Sequence, residues 1–193
     1  MRPILALSAA LAFPLAAAGQ NDPAFYGMGD LAGGGVGSAA TAVSTDAGTV
    51  VGHAEGGTGT QAVRWTEGGG LQGLGQPAAD SPFSRANGVS ANGAVIVGTA
   101  ATSNGGRAFR WTSGGGYTFL GTFTCFLCDG AATGEGVSGN GQVVVGSGLE
   151  FPFLGSPHVN AARWPSGGTG ISNLGDLPGG GDAGVAQDAT TTG

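Results

Sequence analysis

Few side chains in this 193-residue sequence could carry chemistry, and their spacing limits what they could do. Cys125 and Cys128 form a C-x-x-C pair. In an oxidising compartment the reading adopted is a local disulfide. Two free thiols, or a metal or redox site, are the alternatives. A tetrahedral zinc site needs four ligands, and His53 and His158 are far from the pair in sequence. A thioredoxin-like site needs a helix start, whereas Asp129-Gly130 reads as a turn. His53 follows Val50-Val51-Gly52 where later repeats have Thr99 and Ser147, so it reads as a strand side chain. His158 falls in the segment 150–160 and reads as a solvated loop residue. No Gly-x-Ser-x-Gly elbow positions a nucleophile. Gly134-Glu135-Gly136-Val137-Ser138-Gly139 spells G-x-G-x-x-G, but an Asn-Gly turn follows it where a dinucleotide site needs a helix. No catalytic residue, cofactor or metal is therefore expected.

The composition fixes the kind of element that must hold these residues. With 43 Gly and 9 Pro the chain cannot be a helical bundle, since these are the two poorest helix formers. Disorder is disfavoured as well, because only 9% of residues are charged and 40% are hydrophobic. The basic residues are six Arg, dispersed, and the net charge is −6. Nucleic acid and anionic lipid are excluded as partners on that footprint. Residues 1–18 read as a secretory signal. Arg2 is the charged start, residues 4–15 the apolar stretch, and Ala16-Ala17-Ala18 the cleavage site. The apolar stretch is shorter than the roughly 20 residues of a membrane span. Residues 19–193 then form an exported β-repeat domain, secreted or at the cell surface, or in the periplasm, with no later membrane span expected.

A ten-residue pattern recurs at 43–52 (VSTDAGTVVG), 89–98 (VSANGAVIVG) and 137–146 (VSGNGQVVVG). Arg-Trp recurs in phase at Arg64-Trp65, Arg110-Trp111 and Arg163-Trp164, and Leu-Gly or a variant at Met28-Gly29, Leu74-Gly75, Leu120-Gly121 and Leu174-Gly175. Each unit holds four short apolar runs rich in β-branched and aromatic residues, grouped here as Leu-Gly, Val-Ser, Val-Gly and Arg-Trp. Asn92-Gly93 and Asn140-Gly141 read as type I′ hairpin dipeptides, and Asp46-Ala47-Gly48 as a longer version. The fold class is all-β: four-stranded antiparallel blades of about 46–54 residues, β-propeller-like and incomplete at about 3.5 blades. Strand alternation puts Trp65, Trp111 and Trp164 in the inter-blade core and Arg64, Arg110 and Arg163 between blades, with Asp30 and Asp176 as candidate partners for the guanidinium groups.

The unit Arg107-Ala108-Phe109-Arg110-Trp111, Gly114-Gly115-Gly116, Phe119-Leu120-Gly121 and Val137-Ser138-Gly139-Asn140-Gly141 resembles the HAF family of extracellular repeat proteins. Leu174-Gly175-Asp176-Leu177-Pro178-Gly179-Gly180 resembles that family's linking segment. The His of the family's name is replaced by Arg107, Gln61 and Asn160 in the three triplets here. The resemblance implies export from a bacterium and no reaction.

The expected role is extracellular binding or surface structure, with an extracellular protein or a glycan as partner and self-association through an open sheet edge. The contact loop is assigned to Phe151, Phe153 and His158. Two alternatives stay open. One is an exported propeller-type enzyme on polysaccharide or peptide using Asp129, Glu135 and Glu150. The other is a truncated remnant of a longer repeat protein.

Overall fold

The computed structural model describes residues 27–77, 83–103, 105–123, 130–152, 156–166, 170–175 and 183–190. Residues 1–18, which read as a secretory signal, and Cys125, Cys128, Asp129, Phe153 and Asp176 lie outside the described residues.

The described residues form three four-stranded antiparallel sheets, each a meander in chain order. The first holds β1 (Ser38–Val43), β2 (Val50–Gly56), β3 (Gly59–Thr66) and β4 (Gly70–Gly73). The second holds β5 (Ser84–Val89), β6 (Val95–Thr102), β7 (Gly105–Thr112) and β8 (Gly116–Phe119). The third holds β9 (Ala132–Val137), β10 (Val144–Glu150), β11 (His158–Trp164) and β12 (Ser172–Asn173). The architecture is an all-β, propeller-like partial array of three blades. Residues 183–190 continue it by lying on the third blade as β9 lies on the second, with Ala186 N–H donating to the Gly146 carbonyl at 3.0 Å.

The blade boundary differs from the one read in the sequence. The Leu-Gly run closes a blade, because β4 pairs with β3 along Val63–Gly73 to Thr66–Gly70 and not with β5. A Gly-rich turn after the Arg-Trp strand is short enough only for a hairpin with that strand. Among the described residues Met28-Gly29 consequently has no blade to close, and it is not a strand.

The hairpin corner also differs. Of its two central residues only Gly93 and Gly141 take positive φ, 70° and 74°, so these are not type I′ turns. Gly93 N–H donates to the Ser90 carbonyl, which closes a four-residue turn ended by a left-handed residue. The buried Ser90 hydroxyl accepts from Val95 N–H at 3.0 Å and donates to Asn92 Oδ1, which in turn accepts from Ala94 N–H. Ser138 and Asn140 repeat this arrangement, as do Ser44 and Asp46. The first corner is therefore no longer than the others, and Ala47, at φ 56°, holds the place of Gly93.

Each first strand carries a β-bulge. Thr41, Asn87 and Glu135 are the extra residues, opposite Gly52, Gly98 and Gly146. The bulge drives a carbonyl onto the facing glycine: a Cβ at Gly98 would stand 1.9 Å from the Arg85 oxygen, and the other two glycines are alike. The final Gly of the V-x-V-G pattern is thus a steric requirement of its neighbour strand.

Apolar clusters lie between successive blades. Val51, Ala62, Ala86, Ile96, Phe109 and Trp111 join the first two. Val97, Ala108, Ala132, Val137, Val144 and Trp164 join the second pair. Full burial of each larger side chain contributes about 1.5–3 kcal/mol. The blades are stable because they stack, as in other repeat folds.

Candidate functional site

The bulge that forces a glycine on one strand frees a polar side chain on the other. Thr41 Oγ1 donates to the Ala86 carbonyl at 2.7 Å, and Asn87 Nδ2 donates to the Gly134 carbonyl at 2.8 Å. Each ties its blade to the next. Glu135 holds the third such position but, when ionised, only accepts hydrogen bonds.

These bulges, with the strands that carry them, line a groove of about 470 Å³. Its walls are the innermost strands of all three blades and residues 183–190, including Thr45, Asn87, Glu135, Gln187 and Asp188. The groove is polar, offers amide donors beside two carboxylates, and sits where a propeller has its central channel. Backbone bonds fix its floor: Ala91 N–H donates to Gly139 O at 3.0 Å and Gly139 N–H to Thr190 O at 3.3 Å. Such an arrangement can bind an extended polar chain by hydrogen bonds and favours a cationic group near Glu135 and Asp188.

A smaller cleft of about 290 Å³ opens between the first two blades, lined by His53, Glu55, Thr60, Phe83 and Arg85. Arg85 Nη2 lies 3.3 Å from His53 Nε2. An Arg only donates, so Nε2 accepts and the proton of the neutral ring sits on Nδ1. That nitrogen is buried with no partner. Burial first, and the Arg85 charge second, hold the imidazole below its ordinary value. His53 is therefore a strand residue, but one facing a cleft and an Arg that sequence reading passed over.

The Arg-Trp pairs hold the blades together. Arg64 binds Gln72 Oε1 through Nε and Nη2 at 3.2 and 3.0 Å and lies 5.3 Å from the centre of the Trp111 ring in the next blade. Its partners are thus an amide and an aromatic face, not the exposed Asp30. Arg110 Nη2 donates to Gly141 O at 3.5 Å. Trp164 is fully buried and donates through Nε1 to Gly121 O at 2.7 Å, while Trp111 is 9% exposed and Trp65 is half-buried, as is Arg163.

His158 is not in the inserted loop. It opens β11 opposite Glu150, whose Oε2 lies 3.5 Å from His158 Nε2 and accepts from Asn160 Nδ2 at 2.7 Å. Seven residues separate β10 from β11 where two separate β2 from β3 and β6 from β7, so the insertion lengthens the connection, and pairing resumes at His158. Phe151 is half-buried beside it. Glu135 and Glu150 fall at separate places, the first in the axial groove and the second at this hairpin end. Among the described residues no three His, Cys, Asp or Glu side chains come together in a form that would hold a metal ion. No helix among them is long and apolar enough to cross a membrane.

The fold and its axial groove define a class, the propeller-like blade arrays. Solved structures share that fold. One is TolB from Acinetobacter baumannii, with a TM-score of 0.51 at 13% identity, over 72% of this chain and 32% of that one. Another is a structure assigned to TolB from Agrobacterium tumefaciens, with a TM-score of 0.53 at 14% identity, over 74% of this chain and 50% of that one. The chain thus spans a third to a half of these neighbours, whose matching part is a β-propeller domain. No family model matches the sequence, and no curated protein matches it.

Proposed function

We propose that the protein is an exported binding module of the HAF repeat type, working outside the cytoplasm, in the periplasm or beyond the cell surface, and catalysing no reaction. The observation that carries this reading is the axial groove, whose walls come from every unit of the array and carry Thr45, Asn87, Glu135, Gln187 and Asp188 among small and apolar residues. Its occupant is an extended segment of an extracellular protein or a glycan. The signal-like start of the sequence and the TolB-like fold are consistent with export.

The test is to screen labelled protein on peptide and glycan arrays and then repeat the leading interactions with Glu135→Arg, its fold checked by circular dichroism. A hit that weakens at least about tenfold supports the groove, since one reversed charge there is worth about 1.4 kcal/mol or more. Unchanged binding would remove the site from the groove. Turnover of a bound glycan or peptide, read by mass spectrometry, would overturn the non-enzymatic part. Intact mass of the exported protein tests cleavage after Ala18.

A further inference from the structure

We propose that strand β1 of one copy docks on the third blade of a second copy, in the place of residues 183–190, and that two such contacts close a six-bladed ring of two chains.

The two interfaces within the chain show how a first strand docks. β5 lies across β1, β2 and β3, and β9 lies across β5, β6 and β7. Ser84 Oγ accepts the Ala62 N–H at 2.9 Å, and Ala86, fully buried, packs in the cluster with Val51 and Ala62. Strand β1 repeats these features. Ser38 matches Ser84, Ala40 matches Ala86, Val43 matches Val89 and Ser44 matches Ser90. Yet the strand is exposed along almost its whole length, and Val43 is 57% exposed where Val137, at the same place in the third blade, is 6%. The sequence of β1 is that of a strand docked on a preceding blade, and among the described residues no blade precedes it.

The matching receptor is the third blade. It carries Val145 and Ala161 where the first carries Val51 and Ala62. Residues 183–190 now occupy it, through Ala186 N–H to Gly146 O at 3.0 Å and Gly184 N–H to Val159 O at 2.8 Å. They fit the docking pattern less well. Ala186 keeps the small residue of Ala40 and Ala86, but Ala189 replaces the valine. Most of the segment remains partly or fully exposed, Val185 by 53%. A better-matched strand from a second copy competes for the same site. The axial groove survives the exchange, with Thr41 and Ala42 of the incoming strand as its fourth wall.

The number of blades completes the argument. The three blades of the described residues fall below the roughly four to eight that close a propeller, and two copies of them supply six. The contact is head-to-tail, and such contacts form closed rings when the rotation per copy divides a full turn.

Light scattering after size exclusion, across about 1 to 100 μM, tests this on the whole chain by mass action. A two-chain mass that grows with concentration is expected, and Ala40→Arg is expected to weaken the dimer at least about 100-fold by burying an unpaired charge. Ala40 is exposed in the single copy, so the melting temperature of the dilute variant should stay at the wild-type value. Ala186→Arg, which loosens residues 183–190 alone, should tighten the dimer. A protein monomeric throughout, a mass that grows past two chains, or a dimer indifferent to Ala40→Arg would each overturn the proposal.

Discussion

Strands β1 and β5 read Ser-Ala-Ala-Thr-Ala-Val and Ser-Arg-Ala-Asn-Gly-Val, each followed by a buried serine and an Asx turn. Their fates differ. β5 alternates buried and open positions as a packed strand does, while β1 is open at nearly every position. What differs is the neighbour: among the described residues β5 has a blade beneath it and β1 has none. In a stacked array the burial of a residue is therefore a property of the interface, and nearly equal sequences carry unequal shares of the stability. Pairs of equivalent substitutions can measure that inequality.

The largest contrast should come from the small residue at the docking position. Ala86→Arg places a charge in the cluster between the first two blades and should cost about 3–5 kcal/mol in urea unfolding. Ala40→Arg, in dilute solution, should stay within about 0.5 kcal/mol of wild type. Equal losses would mean that β1 is already covered and would erase the comparison. Next in size is Gly98→Ala, whose new Cβ would meet the Arg85 carbonyl at 1.9 Å. Backbone cannot yield as a side chain does, so a loss of about 3 kcal/mol in the same assay is expected. A loss below about 1 kcal/mol would show that the bulge slides out of the way.

A gentler contrast sits in the corners. Ala47 and Gly93 occupy the same left-handed position, at φ 56° and 70°. An alanine there costs about 1–2 kcal/mol, of which the lost chain entropy of a glycine returns part. Ala47→Gly should therefore raise stability by about 0.5–1 kcal/mol in thermal unfolding, and no gain would mean that the first corner relaxes its φ at no cost.

Much of this architecture was legible in the sequence because repetition amplifies weak signals. Three copies each of Val-Ser, Val-Gly and Arg-Trp in one order announced the strands and the blade. The phase of the blade was not legible, since a run such as Leu71-Gln72-Gly73 pairs as well in principle with a strand before it as with one after it. The bulge was hidden for a related reason. Gly52, Gly98 and Gly146 were visible as a repeated residue, but the carbonyls that demand them come from another strand. The groove was missed because Thr41, Asn87, Glu135 and Gln187 share no residue type; what they share is position. A polar residue two places before each Val-Ser, or its Ala189-Thr190 variant, was the signal available. His158 was misplaced by one strand end, since repeat spacing gives the length of an insertion but not the residue at which pairing resumes.

The smallest expected effect separates the first corner from the other two by charge alone. Asp46 stands where the later units have Asn92 and Asn140, and its carboxylate is held below the ordinary 3.8, first by the Ser44 hydroxyl and then by Gly48 N–H. A carboxyl whose folded value is depressed contributes stability that is fully present above 3.8 and is lost as the pH falls through the folded value. The wild-type melting temperature should therefore decline through this window below pH 3.8 more steeply than that of Asp46→Asn, whose amide oxygen accepts the same bonds without titrating. Above about pH 5 the two proteins should melt together, because an amide in this turn already serves the other two units. If the two acid limbs coincide, the first corner owes nothing to its charge, and the difference between the units lies wholly in what covers β1.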